Sequence, residues 1–389
     1  MRLATCPQQD RAFFALLEQQ PALDERDNRG KIHSLPLVLM GVVMALLAGR
    51  DGNLSAIHRN MKNQFQTLCD TLSLQATRLI SRPQLPRLLA RVNYTLLAQL
   101  IQQHYGLELP EGFADWLSGD GKELRGSIAN RAAGAGHQRG EVCVSIVTHT
   151  QAVVAQTYYN GTKESERPAI SNLLTDNDLL DKKIVLDALH LVPSLLAAIH
   201  QATGTYLIGL KANQRLLGRA CLLQTLMHKP AFERVDTPLR GHGRIDQRTY
   251  GCYSLAALRL AKRWARSGLT TVVVVTRVRK TLAGVETART VRYFVTNCPL
   301  TSQAEAASFY DAIQGHWSVE VLHYRRDVVL SEDACRSKLS VVQRTLSSLR
   351  TLTMSLLQWL NPPNMAAQLQ QFAERVQELI DFLRLKRVL

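Results

Sequence analysis

Through the first hundred residues apolar positions recur at helical steps, and beyond about residue 112 the period changes. Leu88, Leu89, Val92, Leu96, Leu97 and Leu100 follow mixed three- and four-residue steps, which predicts a helix over 85–105. A denser apolar run at 35–49 is about 15 residues long, short of the ~18–20 that cross a bilayer, and predicts a buried helix. From there β-branched and aromatic residues take over. Residues 141–149 (EVCVSIVTH) and 152–160 (AVVAQTYYN), joined by a short polar turn, predict a hairpin. A helix over 166–174 follows, then a short apolar strand at 183–186 that leads into Asp187, a helix over 192–201 and a strand at 205–210. Residues 244–253, 270–278 and 288–296 read as three further strands, the middle one dominated by valine. From 302 onward the pattern is helical to a Leu-rich end. The chain is therefore of the α/β class, in four parts: a helical 1–110, an α/β 111–215, a β-rich 216–300 and a helical 301–389.

The 389 residues suffice for a large core, and a 46% hydrophobic content excludes wholesale disorder. A formal net charge of +15 changes the picture more. Basic residues gathered on one surface release counterions from a phosphate backbone, so nucleic acid becomes the favoured partner over a merely soluble basic surface. The seven cysteines, Cys6 among them, are scattered and show no CxxC spacing, which excludes a disulfide framework and a zinc site and fits a reducing cytoplasm. No signal peptide and no membrane partner are expected.

Three acids stand in distinctive surroundings. Asp120 opens DGKELRGS, Asp187 lies in KIVLDALH, and Glu320 closes HWSVE at the head of a charged helix. Carboxylates far apart in sequence are what a two-metal phosphodiester site needs. Ions about 3.5–4 Å apart require several hard oxygen ligands delivered by separate elements. Each acid also has an ordinary explanation: a helix N-cap for Asp187, a turn for the Asp120-Gly121 pair, a solvated helix face for Glu320.

Basic groups accompany them: Lys122 and Arg125, Lys211, and Arg325 and Arg326. His316, Glu320 and Asp327 are spaced to share one helix face, either as part of a site or as an intrahelical charge network. Arg244 and Arg248 flank Ile245 in strand register and either line a nucleic-acid channel or form an exposed face. Trp264, among Lys262, Arg263 and Arg266, either packs in the core or stacks on an unpaired base.

Taken in order and spacing, these strings resemble the insertion-sequence DDE transposases, in the branch that includes the H-repeat-associated proteins. The resemblance covers nearly the whole chain, through DGKELRGS (Asp120 to Ser127), LDALH (Leu186 to His190), LKANQ (Leu210 to Gln214, with Asn213), HGRIDQR (His242 to Arg248) and HWSVE (His316 to Glu320). Around the third acid, Ile313, His316 and Asp327 stand where the wider superfamily shows Tyr, Arg and Lys. After Glu320, Val321 to Tyr324 replace an Asn-containing stretch common in relatives.

The resemblance implies an RNase H-like catalytic core interrupted by the β insertion, with helical terminal regions. Asp120, Asp187 and Glu320 would be the catalytic triad and the metal ligands, holding two Mg²⁺, with Mn²⁺ able to substitute. Lys122, Arg125, Lys211, Arg244, Arg248, His316, Arg325 and Arg326 are then candidate DNA contacts. The expected partners are double-stranded DNA, as terminal inverted repeats and target, and a second copy of the chain or a larger synaptic assembly. The expected place is the cytoplasm, on the nucleoid. The alternatives are an inactive DNA-binding derivative and an RNase H-like nuclease of recombination or repair.

Overall fold

Ser34 accepts a hydrogen bond from the Leu37 amide, Pro36 occupies the first turn, and between them they start the helix that the apolar run predicts. The computed structural model describes residues 11–49, 51–75, 78–105, 109–128, 139–161, 165–211, 214–241, 243–256, 258 and 260–389. Cys6, Asn213 and His242 lie outside the described residues. The N-terminal helices are α1 (Phe13–Glu18), α2 (Leu35–Leu47), α3 (Leu54–Thr71), α4 (Gln84–Leu89) and α5 (Tyr94–Tyr105). Nearly all of α2 is buried, as expected of a core helix, and no described helix is long and apolar enough to cross a membrane. The single helix expected over 85–105 is two. The chain leaves the helix after Leu89, Val92 bridges to Asp24, and Asn93 accepts from the Leu96 amide to start the next helix.

The middle of the chain runs β1 (Trp116–Glu123), β2 (Glu141–Thr148), β3 (Val153–Asn160), α6 (Glu166–Asp176), β4 (Lys183–Leu186), α7 (Pro193–Gln201) and β5 (Thr205–Leu210). Then come α8 (Arg215–Met227), β6 (Phe232–Val235), β7 (Leu239–Gly241), β8 (Arg244–Ser254), β9 (Thr271–Thr281) and β10 (Glu286–Thr296). The C-terminal helices are α9 (Gln303–Gly315), α10 (Trp317–Val328), α11 (Ser340–Leu360), α12 (Met365–Glu374) and α13 (Val376–Leu385). The β-rich stretch thus opens on a helix, α8.

All ten described strands form one mixed, mostly antiparallel sheet in the order β3-β2-β1-β4-β5-β10-β9-β8-β6, with β7 on β8. β1, β4 and β5 are parallel to one another; β2 and β3 form the antiparallel hairpin beside them. β10 pairs antiparallel with β5, so the late strands extend the same sheet. One face buries Leu117, Ile146, Ile184 and Ile208 against α6, α7 and α8. On the other, Val185, Leu207 and Val273 pack against Phe309 and Tyr310 of α9. A third core joins α1–α5 to α10–α13, so the two terminal helical regions make one helical body.

Candidate active site

β1 passes between β2 and β4 although Ser118-Gly119-Asp120-Gly121 has little intrinsic strand preference. Its neighbours impose the extended state and require the glycines. A Cβ on Gly119 would stand 2.7 Å from both Ile146 Cδ1 and Leu186 Cδ2, and one on Gly121 would meet Glu166 at 2.7 Å. Asp120 therefore lies within a central strand, which corrects the turn suggested by its Asp-Gly pair.

The parallel register sets Ser118 beside Val185 and Gly119 beside Leu186. Asp120 and Asp187 are the next residues on the two strands, so they are neighbours at the point where β4 ends. Asp187 leads into the single 3₁₀ turn Ala188–His190 and makes no side-chain capping bond to it. Its carboxylate instead takes the Lys211 ammonium at 3.0 Å, both side chains being about half exposed. Burial pushes the Asp187 pKa up, but the Lys211 bond and charge, the neighbouring Ala188 amide and the His316 charge together outweigh this and hold it below the usual carboxylate range.

α10 crosses β1 and brings the third acid. Burial and the Asp120 carboxylate push Glu320 above its usual range, with Asp187 adding to the effect and His323 and Arg292 opposing it. The three acids thus share one electrostatic environment. His323, one turn beyond Glu320, places Nδ1 3.6 Å from Asp120 Oδ2. His316 stands at the junction of α9 and α10. Burial depresses its pKa against the pull of Asp120 and Asp187. Behind Gly121, Glu166 holds His190 at 3.0 Å. His323 and Glu166 were not singled out from sequence; only spacing from Glu320 could have pointed to His323.

Asp327 is paired across to the strand and not within its own helix. Lys122, two residues beyond Asp120 and 6% exposed, meets Asp327 at 2.8 Å and Glu332 and Asp333 at 3.4 Å each. These carboxylates outweigh burial and raise the Lys122 pKa. One ammonium serves three acids, so Asp327, part-buried and crowded by Asp333 and Glu332, is itself left above its usual range. Arg326 is fully buried, with Nε 3.0 Å and Nη2 2.5 Å from the two Glu332 oxygens. Lys122 and Arg326 are consequently structural ties between β1, α10 and the turn Glu332–Ala334, and neither presents its charge to a phosphate backbone. That corrects their expected role as DNA contacts.

The remaining basic candidates are spread more widely. Arg125 is exposed beside Asp333, 3.9 Å away. Arg325 bonds Gln151. Arg244 pairs with Asp246 at 3.1 Å, and Arg248 stands directly opposite Arg277 in the β8–β9 register. Ser118, Val185, Leu207 and Thr296 are successive register partners. By the two-residue pleat, Asp120 and Arg292 therefore share a sheet face, and so do Arg277 and Arg248. Trp264 is buried, with Arg263 stacked on it at 5.0 Å, which settles its two readings in favour of the core.

Among the described residues, no three His, Cys, Asp or Glu side chains stand close enough together to enclose an ion. Lys211 and His323 hold two of the three carboxylates instead. The donor set nevertheless suits a hard divalent cation: carboxylate oxygens delivered from three parts of the chain, with Asp120 and Asp187 adding negative charge around Glu320.

No family model matches the chain. Three curated relatives do. "Putative protein YbfL" of Escherichia coli strain K12 is 28% identical over 250 residues, 62% of this chain and 64% of the relative. "H repeat-associated putative transposase YhhI" of the same strain is 27% identical over 250 residues, again 62% and 64%. "Putative transposase YncI" of Escherichia coli O157:H7 is 26% identical over 248 residues, 61% and 60%. The matches span less than two thirds of each relative's length. They bear out the resemblance to the H-repeat-associated branch that the ordered motifs carry.

Proposed function

We propose that the chain is a DDE transposase: it binds terminal inverted repeats and carries out metal-dependent strand cleavage and strand transfer. The observation that carries this reading is that Asp120 on β1 and Asp187 just past the end of parallel β4 each follow directly on the register pair Gly119 and Leu186, with Glu320 set against them by α10. The order β3-β2-β1-β4-β5, with parallel β1, β4 and β5 beside an antiparallel hairpin, supports an RNase H-like core interrupted by β6–β10. The names of the relatives supply the mobile-element context.

Asp120, Asp187 and Glu320 are the residues that would hold Mg²⁺, or Mn²⁺ in its place. Ions bound there would lower the pKa of an attacking water or 3′-hydroxyl and offset charge on the leaving oxygen. The chain's own side chains do the rest. Lys211, exposed and paired to Asp187, is free to swing from the carboxylate to a phosphate oxygen. His323 orients Asp120. His316, held mainly neutral by burial, can donate or accept a hydrogen bond at the strand ends without adding charge. Arg292, Arg277 and Arg248 would carry the duplex backbone along the shared sheet face. Joining two ends requires both in one complex, which favours a dimer or larger assembly on the nucleoid.

The test is cleavage and joining on a DNA fragment bearing the element's flanking repeats, run with Mg²⁺, with chelator and with Asp187→Asn. Nicking at the repeat ends and joining, lost in the variant and in chelator, supports the proposal. Cleavage indifferent to Asp187→Asn removes the site assignment. Binding without cleavage under any metal favours an inactive DNA-binding protein.

A further inference from the structure

We propose that the groove over the free edge of β3 is a docking site for an extended, uncharged to weakly basic peptide segment of a partner protein, held by strand addition. β3 is the terminal strand of the sheet and pairs only with β2 among the described residues. A bulge between Ile146 and Val147 leaves Val154 without a register partner, and the Gln102 side-chain amide donates to its carbonyl instead. Beyond that point, β3 residues 156–159 line a cavity of about 1050 Å³ between α5 and α6. This exceeds the ~300–1,000 Å³ of small-molecule sites and suits a chain segment.

The walls state the chemistry of the occupant. Gln99, Gln102 and Gln103 line the groove from α5, Asn172 from α6 and Asn177 from just past the end of α6. Gln102 already donates to Val154 and Asn177 to Leu173, and the exposed Gln99 and Asn172 amides can each donate and accept, which matches a peptide backbone and neutral polar side chains. Among the described residues no Lys, Arg or His lines the cavity, although the chain carries +15, and Asp176 is the one charged residue of that described lining. A nucleic-acid backbone would find no counter-charge on that described lining. β3 itself, VVAQTYYN, has neither the lysines nor the proline that usually guard an open edge. The edge is recessed between two helices, so the same helices on a second copy would keep two β3 edges apart. A lone strand can enter, with main-chain bonds giving affinity and alternate side chains giving selectivity. The inference is independent of the nuclease reading.

The test pans a random dodecapeptide phage library on the full chain, counter-selecting on the groove-blocked variants Gln99→Trp and Asn172→Trp. Both positions are exposed, so the substitutions leave the core intact. The proposal expects proline-free, strand-forming peptides whose binding falls about tenfold or more in each variant. It also expects such a peptide to slow amide exchange over 156–159 and to resist displacement by a single-stranded oligonucleotide. Absence of any peptide that prefers the open groove, binding indifferent to both substitutions, or displacement by the oligonucleotide would overturn it.

Discussion

Arg326 and Glu332 form a fully buried ion pair beneath the carboxylates, and their energetics are set by desolvation. Two charges out of water are tolerable only as a hydrogen-bonded pair, so removing one strands the other. Arg326→Met should lower stability by about 3–5 kcal/mol in urea unfolding; a loss within about 0.5 kcal/mol, the range of ordinary surface changes, would count against the pair. Burial disfavours the Glu332 charge, but Arg326 and Lys122 outweigh it and bring the pKa down to about 2. A depressed carboxylate contributes stability above its ordinary pKa of 4.5 and loses it as pH falls through about 2. Unfolding measured down the acid limb should therefore steepen below pH 4.5, and Glu332→Gln should remove that steepening. Lys211 is the contrary case. Its pair with Asp187 is about half exposed on both sides, so Lys211→Ala should shift stability by less than about 1 kcal/mol.

At the scale of elements, β1 and α10 are held in one register by paired spacings. Asp120 and Lys122 are two apart on a strand, Glu320 and Asp327 seven apart on a helix, and the Lys122–Asp327 bond locks the two ladders together. The loop after β1 is seated by close approach: a Cβ on Gly126 would lie 1.8 Å from the Cys335 carbonyl oxygen. Gly126→Ala must displace backbone, and a loss of about 1–3 kcal/mol in chemical unfolding is expected. An unchanged midpoint would mean the turn Glu332–Ala334 is not packed there. Much of this framework was legible beforehand. β4 and β5 fall where their apolar runs predict, and β8–β10 begin and end within a few residues of expectation, because β-branched side chains dominate β9 and β-branched and aromatic ones recur through β8 and β10. β1 was not legible. Its glycines and acid oppose strand propensity, and only β2 and β4 on either side make it a strand. The break at Asn93 was masked by Leu88 to Leu100, whose steps continue through a capped interruption. The three acids of the proposed site stood out only through their ordered strings. The burial of Lys122 and Arg326 was not, since a basic residue carries no mark of being paired inside.

Across the whole molecule, one sheet joins the carboxylates to a basic extension. Arg292, Arg277 and Arg248 lie on the face that carries Asp120, while Asp246 neutralises part of the far end through Arg244, Arg277 and Arg279. If this face carries duplex DNA, log affinity should fall with log salt by about 0.9 per phosphate contacted. Arg292→Ala should reduce that slope by about one contact, as should Arg248→Ala, while Arg326→Met should leave it unchanged. Slopes identical in all variants would place the duplex elsewhere. The account rests above all on three distant acids acting as one metal-holding centre, and Mn²⁺ binding followed by electron paramagnetic resonance on the full chain addresses that most directly. Asp120→Asn, Asp187→Asn and Glu320→Gln should each weaken binding about tenfold or more, with the exposed Asp181→Asn as a silent control. Wild-type affinity in all three variants, or an equal loss at Asp181, would contradict it.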